Sequence, residues 1–139
     1  VLSIAASTPI YLFIQPADMR KSFDGLSGLV TDAFGHDVFA TPGSEGTSSA
    51  GAFSGGGLFV FHNKRKDRLK ILYFDHDGFA LWYKRLEQGT FVFPVVKPGQ
   101  TRLTVSPTDL RLILDGVDLK SVKKLKRYTP SVKHDHEAD

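Results

Sequence analysis

The chain contains no cysteine, which excludes disulfides, thiolate metal sites and thiol nucleophiles. It has no uninterrupted apolar run near the roughly 20 residues that a membrane-spanning helix needs. Residues 1–14 lack the basic start and long apolar middle of a secretory signal, so the simplest address is cytoplasmic. No Gly-x-Ser-x-Gly elbow is present. The three glycines at 55–57 are followed by Leu58 and a β-type run, not by Gly-Lys-Ser/Thr and a helix, and so do not make a P-loop. These absences point away from an enzyme and call for no cofactor.

What the chain does have is apolar bulk and segregated positive charge. Eleven phenylalanines and a hydrophobic fraction of 41% in 139 residues suffice for one folded core. The expectation is a single domain over 1–139, with its core at about 10–118. Residues 41–57, rich in Gly and Ser, have the composition of a flexible insertion, and 120–139 read as a basic, frayed tail.

Residues 10–14 form a short apolar and aromatic run closed by Gln15-Pro16, the pattern of a buried strand. A helix capped by Asp18 is expected next, because Met19, Phe23, Leu26, Val30 and Phe34 recur at steps of four or three, with Gly35 as its stop. Gly25 and Gly28 each cost such a helix about 1 kcal/mol relative to Ala, which suggests a second backbone passing close by. Runs at 58–62, 69–74, 79–86 and 90–96 are aromatic and β-branched, with short turns between them, and so imply an antiparallel meander. Ser106-Pro107-Thr108-Asp109 opens a second helix with a cap, a first-turn proline and an acid. The resulting fold class is α+β: a meander of about four to five strands with two helices packed on one face.

Net charge is only +3, but the cations are bunched. Lys64, Arg65, Lys66, Arg68 and Lys70 crowd one stretch, the first four of them at the turn between two apolar runs, and Lys84 and Arg85 end another run. Lys120, Lys123, Lys124, Lys126 and Arg127 fill the tail. Arg20 and Lys21 stand at the expected helix start, where the backbone dipole disfavours cations by roughly 0.3–1 kcal/mol each, and so suit a phosphate or an acidic partner. Clusters of this kind serve either as a solvated face or as the footprint of a polyanion. Asp75-His76-Asp77-Gly78 offers two carboxylates and an imidazole, but Asp and Gly are also what a tight turn demands, and turn chemistry is the favoured reading. Trp82 is assigned to the core, and its neighbour Tyr83 is free to stack on a base.

Five blocks in register carry a family resemblance: Asp18-Met-Arg-Lys-Ser-Phe-Asp-Gly-Leu26, Gly57-Leu-Phe-Val-Phe61, Leu69-Lys-Ile-Leu-Tyr-Phe-Asp-His-Asp-Gly78, Lys84-Arg-Leu-Glu-Gln-Gly-Thr-Phe-Val-Phe-Pro94 and Leu112-Ile-Leu-Asp-Gly-Val-Asp118. In order and spacing over roughly 10–118 they resemble the TnpB accessory proteins of IS-66 family insertion sequences. The resemblance implies a small bacterial protein encoded beside a larger transposase that cuts and joins the DNA. The Gly/Ser-rich segment and His76 depart from the usual pattern. Three functions stay open: a DNA-binding module acting through the basic turn with Arg20, Lys21, Lys84 and Arg85; a protein-only adaptor of the transposase; and, least favoured, a metal-dependent nuclease using Asp75 and Asp77.

Overall fold

A computed structural model describes residues 4–36, 38–39, 57–118 and 123–124. The Gly/Ser-rich segment, apart from Gly57, and the tail, apart from Lys123 and Lys124, lie outside the described residues.

The run at 58–62 is buried at every position because it becomes a central strand. Strands β1 (Ile10–Phe13), β2 (Leu58–His62), β3 (Arg68–Asp75), β4 (Gly78–Arg85) and β5 (Arg102–Val105) form one sheet in the order β4-β3-β2-β1-β5. The β2-β3-β4 portion is the expected antiparallel meander. β1 departs from it by pairing parallel to β2, with Ile10 opposite Leu58, and β5 then pairs antiparallel to β1. The chain between β1 and β2 supplies helix α1 (Phe23–Phe34), as a parallel connection requires. Helix α2 (Pro107–Asp115) follows β5. Beyond it, β6 (Val117–Asp118) and β7 (Lys123–Lys124) make a short separate antiparallel pair.

The α+β class stands, with one change of layering: the helices take opposite faces of the sheet. Strand alternation sends Tyr11, Phe13, Phe59, Phe61 and Leu72 to one face, where Leu26 and Val30 of α1 cover them. It sends Ile10, Leu12, Leu58, Val60, Leu69 and Ile71 to the other, beneath Leu110 and Ile113 of α2. Both faces of the central strands are therefore apolar and each needs its own cover, so one helical layer cannot suffice. Fully buried side chains such as Phe59, Phe61 and Phe91 each contribute about 1.5–3 kcal/mol of transfer free energy.

The strand expected at 90–96 does not form. Phe91 N–H donates to the carbonyl of Lys66 at 2.7 Å, and Phe91 and Phe93 fold down onto the α2 side of the sheet. The segment is thus a flap whose rings fill the core, with Pro94 lacking the N–H that a ladder would use. The fifth strand is instead β5.

Helix α2 begins as expected: Ser106 Oγ accepts from Asp109 N–H at 3.0 Å, and Gly116 ends the helix in the left-handed region at φ 82°. Helix α1 begins later than expected, at Phe23, leaving Arg20 and Lys21 ahead of it. Asp18 turns its carboxylate onto the Arg20 N–H and guanidinium, while Lys70 Nζ takes the carbonyls of Met19 and Lys21 at 2.8 and 2.7 Å. Those carbonyls would otherwise serve a further helical turn. Phe23 is consequently half exposed. Among the described residues no second backbone closes on the two helix glycines: a Cβ on Gly25 would first meet the Lys21 stem, and one on Gly28 would meet nothing within 4 Å.

Candidate nucleic-acid interface

The turn joining β2 to β3 is built around Asn63. Its Oδ1 accepts from the N–H groups of Asp67 and Arg68 at 3.1 and 3.0 Å, and its Nδ2 donates to Asp67 Oδ1 at 2.7 Å. Lys66 N–H closes onto the Asn63 carbonyl with Lys66 itself in the left-handed region at φ 61°. This side-chain scaffold leaves Lys64, Arg65 and Lys66 exposed on a turn whose backbone is fixed. The Asn63 hydrogen bond, with help from Arg65, also holds the Asp67 carboxyl below its ordinary range.

Antiparallel register then adds the second cluster. β2 runs toward this turn, β3 away from it and β4 back again, so Arg68 lies opposite Arg85 and Leu69 opposite Lys84. Leu86 N–H continues the ladder by donating to the Asp67 carbonyl at 2.8 Å. Lys64, Arg65, Lys66, Arg68, Lys84 and Arg85 thus share one end of the sheet. Directly opposed like charges are destabilising, and the Arg68–Arg85 juxtaposition is relieved in part by Glu87, which accepts from Arg85 Nε at 2.9 Å.

Arg20 and Lys21 are brought to the same end. Ala17 N–H donates to the His62 carbonyl at the close of β2, and Lys70, opposite Tyr83 in the sheet, grips the 19–21 backbone. Arg20 is not a free cation: its guanidinium meets Asp18 at 2.7 Å. That contact lowers the Asp18 pKa from 3.8 to about 2 and raises that of Arg20. Lys64, Arg65, Lys66, Arg68, Lys84 and Lys21 make no ion pair among the described residues.

Two residues at this end take places the sequence reading did not give them: Lys70, counted there with the basic cluster, is buried instead of facing solvent or a polyanion, and His62 had no assigned role. Lys70 is 6% exposed, and its ammonium sits 4.7 Å from the Tyr83 ring centre. A charged residue inside an apolar alternation was the available signal. His62 is also buried; its Nε2 lies 3.1 Å from the Ile14 carbonyl, its Nδ1 3.0 Å from that of Asn63, and its ring stacks on Phe93. It ties the end of β1 to the basic turn. Trp82 packs half-buried against the α2 side, while Tyr83 stays 48% exposed on the other.

Asp75, His76 and Asp77 form the turn at the opposite end of the sheet, with His76 in the left-handed region. They are exposed, and no group of three or more His, Asp or Glu able to hold a metal occurs among the described residues. No described helix is long and apolar enough to cross a membrane.

The site is thus a cationic sheet end on a small α+β scaffold. The model of the IS66 Orf2-like proteins matches residues 46–124, and the chain belongs to that family. It is 36% identical over 115 residues to the uncharacterized protein y4jC of Sinorhizobium fredii, covering 83% of this chain and 84% of that protein. A second protein of that organism, the uncharacterized y4hO, is 35% identical over 74 residues, covering 53% of this chain and 63% of its own length. No solved structure matches significantly. Membership supports an accessory role in insertion-sequence transposition.

Proposed function

We propose that this protein is a non-catalytic, cytoplasmic accessory factor that binds DNA, alone or in complex with the element's transposase, through the cationic end of its sheet. The observation that carries this reading is the convergence of Lys64, Arg65, Lys66, Arg68, Lys84 and Arg85 through strand register. Phosphates placed there would replace repulsion between neighbouring cations with attraction and release condensed counterions. Such contacts set position and leave sequence unread. Tyr83, exposed beside Arg85, offers a ring for an unpaired base. Lys21 extends the surface, and Arg20 joins it once its contact with Asp18 yields to a phosphate.

The test is a salt titration of binding to labelled element-end DNA, with and without transposase. Affinity falls steeply with salt, by a logarithmic slope of roughly 0.9 per neutralised phosphate on duplex DNA. Replacing Lys64, Arg65, Lys66 and Arg68 by Gln flattens that slope and weakens binding. Unchanged binding in the quadruple variant removes this surface from the reading. Capture of transposase in the absence of DNA, with no DNA affinity of its own, would favour the protein-only adaptor.

A further inference from the structure

The sheet has two edges of different character. β5 is short and begins with Arg102, whose guanidinium is tied down to the Ala33 carbonyl and over the Phe34 ring. β4 is eight residues long and pairs only with β3 among the described residues. Its register runs unbroken from Arg85 opposite Arg68 to Gly78 opposite Asp75, so no bulge twists it away. Between its ends lie Phe79-Ala80-Leu81-Trp82-Tyr83, with no charge and no proline. Edges exposed to water are normally blunted by these devices.

The direction of the free hydrogen-bonding groups follows from one bond. Leu86 N–H points inward, onto Asp67. By alternation Lys84, Trp82 and Ala80 also face β3, and Phe79, Leu81, Tyr83 and Arg85 direct their N–H and C=O groups outward.

We infer that β4 is a self-complementary edge that pairs antiparallel with β4 of a second copy of this chain about a two-fold axis at Leu81. This register sets Leu81 against its own copy and Phe79 against the second copy's Tyr83, each pair exchanging two backbone bonds. Two half-exposed aromatic rings, 36% and 48% accessible in the single chain, then meet across strands on the same face. Charge fits as well. The antiparallel sense brings Lys84 and Arg85 beside the acidic turn Asp75-His76-Asp77 of the second copy, with Arg85 level with Asp77. Five strands from each copy form one continuous sheet, and the two cationic ends lie at its opposite ends. The inference rests on the edge and not on DNA binding, and because it engages Tyr83, Lys84 and Arg85 it leaves Lys21, Lys64, Arg65, Lys66 and Arg68 as the cations open to DNA in the dimer.

Sedimentation velocity of the full chain over a concentration series, paired with amide hydrogen exchange, tests it. The expected result is a monomer–dimer equilibrium in which the amides of Phe79, Leu81 and Tyr83 exchange more slowly as the dimer fills. Leu81→Pro removes an outward N–H that pairs with nothing among the described residues of the single chain, and it abolishes the dimer. Asp77→Arg, on an exposed turn where folding is not at stake, weakens the dimer by about tenfold at low salt, with less effect at high salt. A chain monomeric at millimolar concentration overturns the inference, as does a dimer whose Phe79, Leu81 and Tyr83 amides exchange freely. Should Leu81→Pro fail to fold, the exchange pattern of the unaltered chain and the Asp77→Arg result decide.

Discussion

Lys70 is the residue that joins the segment before α1 to the sheet, and Lys70→Met deletes its ammonium while keeping an unbranched apolar stem. The two hydrogen bonds to the Met19 and Lys21 carbonyls, at 2.8 and 2.7 Å, involve a charged donor and are each worth about 1.5–3 kcal/mol. The Tyr83 ring contact adds about 0.5–1 kcal/mol. Against this, methionine avoids the desolvation of a buried cation that has no carboxylate partner among the described residues. The carbonyls left without a donor keep the balance unfavourable, and the net expectation is a loss of about 2–3 kcal/mol. In a chain of this size that lowers Tm by about 6–12 °C. Urea denaturation measures the loss. Amide exchange locates it, with faster exchange at the start of α1 and little change at the β2–β3 turn. A variant as stable as the parent, with α1 equally protected, would refute the reasoning by showing that the ammonium only offsets its own burial.

Asn63→Ala removes three side-chain hydrogen bonds from the basic turn and should cost about 1–3 kcal/mol by urea titration, since water replaces part of what is lost. DNA affinity should fall with it although no charge is removed; equal affinity would mean that the cations need no fixed backbone. Asp18 should titrate in the folded chain near about 2, not 3.8, because of its contact with Arg20. A lowered folded pKa means that the contribution is complete above pH 3.8 and disappears as pH falls toward 2. Carboxyl chemical shifts followed by NMR test this, and Arg20→Gln should return the midpoint toward 3.8.

Local pattern sufficed where the physics is local. The β2-β3-β4 meander follows from apolar runs separated by short turns, and once it is drawn the two basic clusters at 64–68 and 84–85 must meet. The start of α2 is equally local, since Ser106 accepts from the Asp109 N–H, Pro107 has no N–H to leave unpaired and Asp109 sets an acid in the first turn. The parallel pairing of β1 with β2 was not legible, because it joins residues 48 apart, as with Ile10 and Leu58. Residues 90–96 mislead for a related reason: Phe91 and Phe93 are apolar because they roof the core, which composition alone does not separate from strand pairing. The late start of α1 depends on Lys70, about fifty residues downstream, and no capping rule contains it. Likewise, both faces of β2 read as buried without revealing that a separate helix covers each.

The place of β1 has a consequence for where this protein can be divided. The stretch shared with the family model starts at residue 46, downstream of β1 and α1, yet β1 is the rib between β2 and β5. A fragment trimmed to the shared stretch would leave β5 stranded and one flank of β2 bare, with Phe59 and Phe61 stripped of their roof. The start of the family-model match and the boundary of autonomous folding therefore fall at different places in this chain, and domain dissection should follow the second.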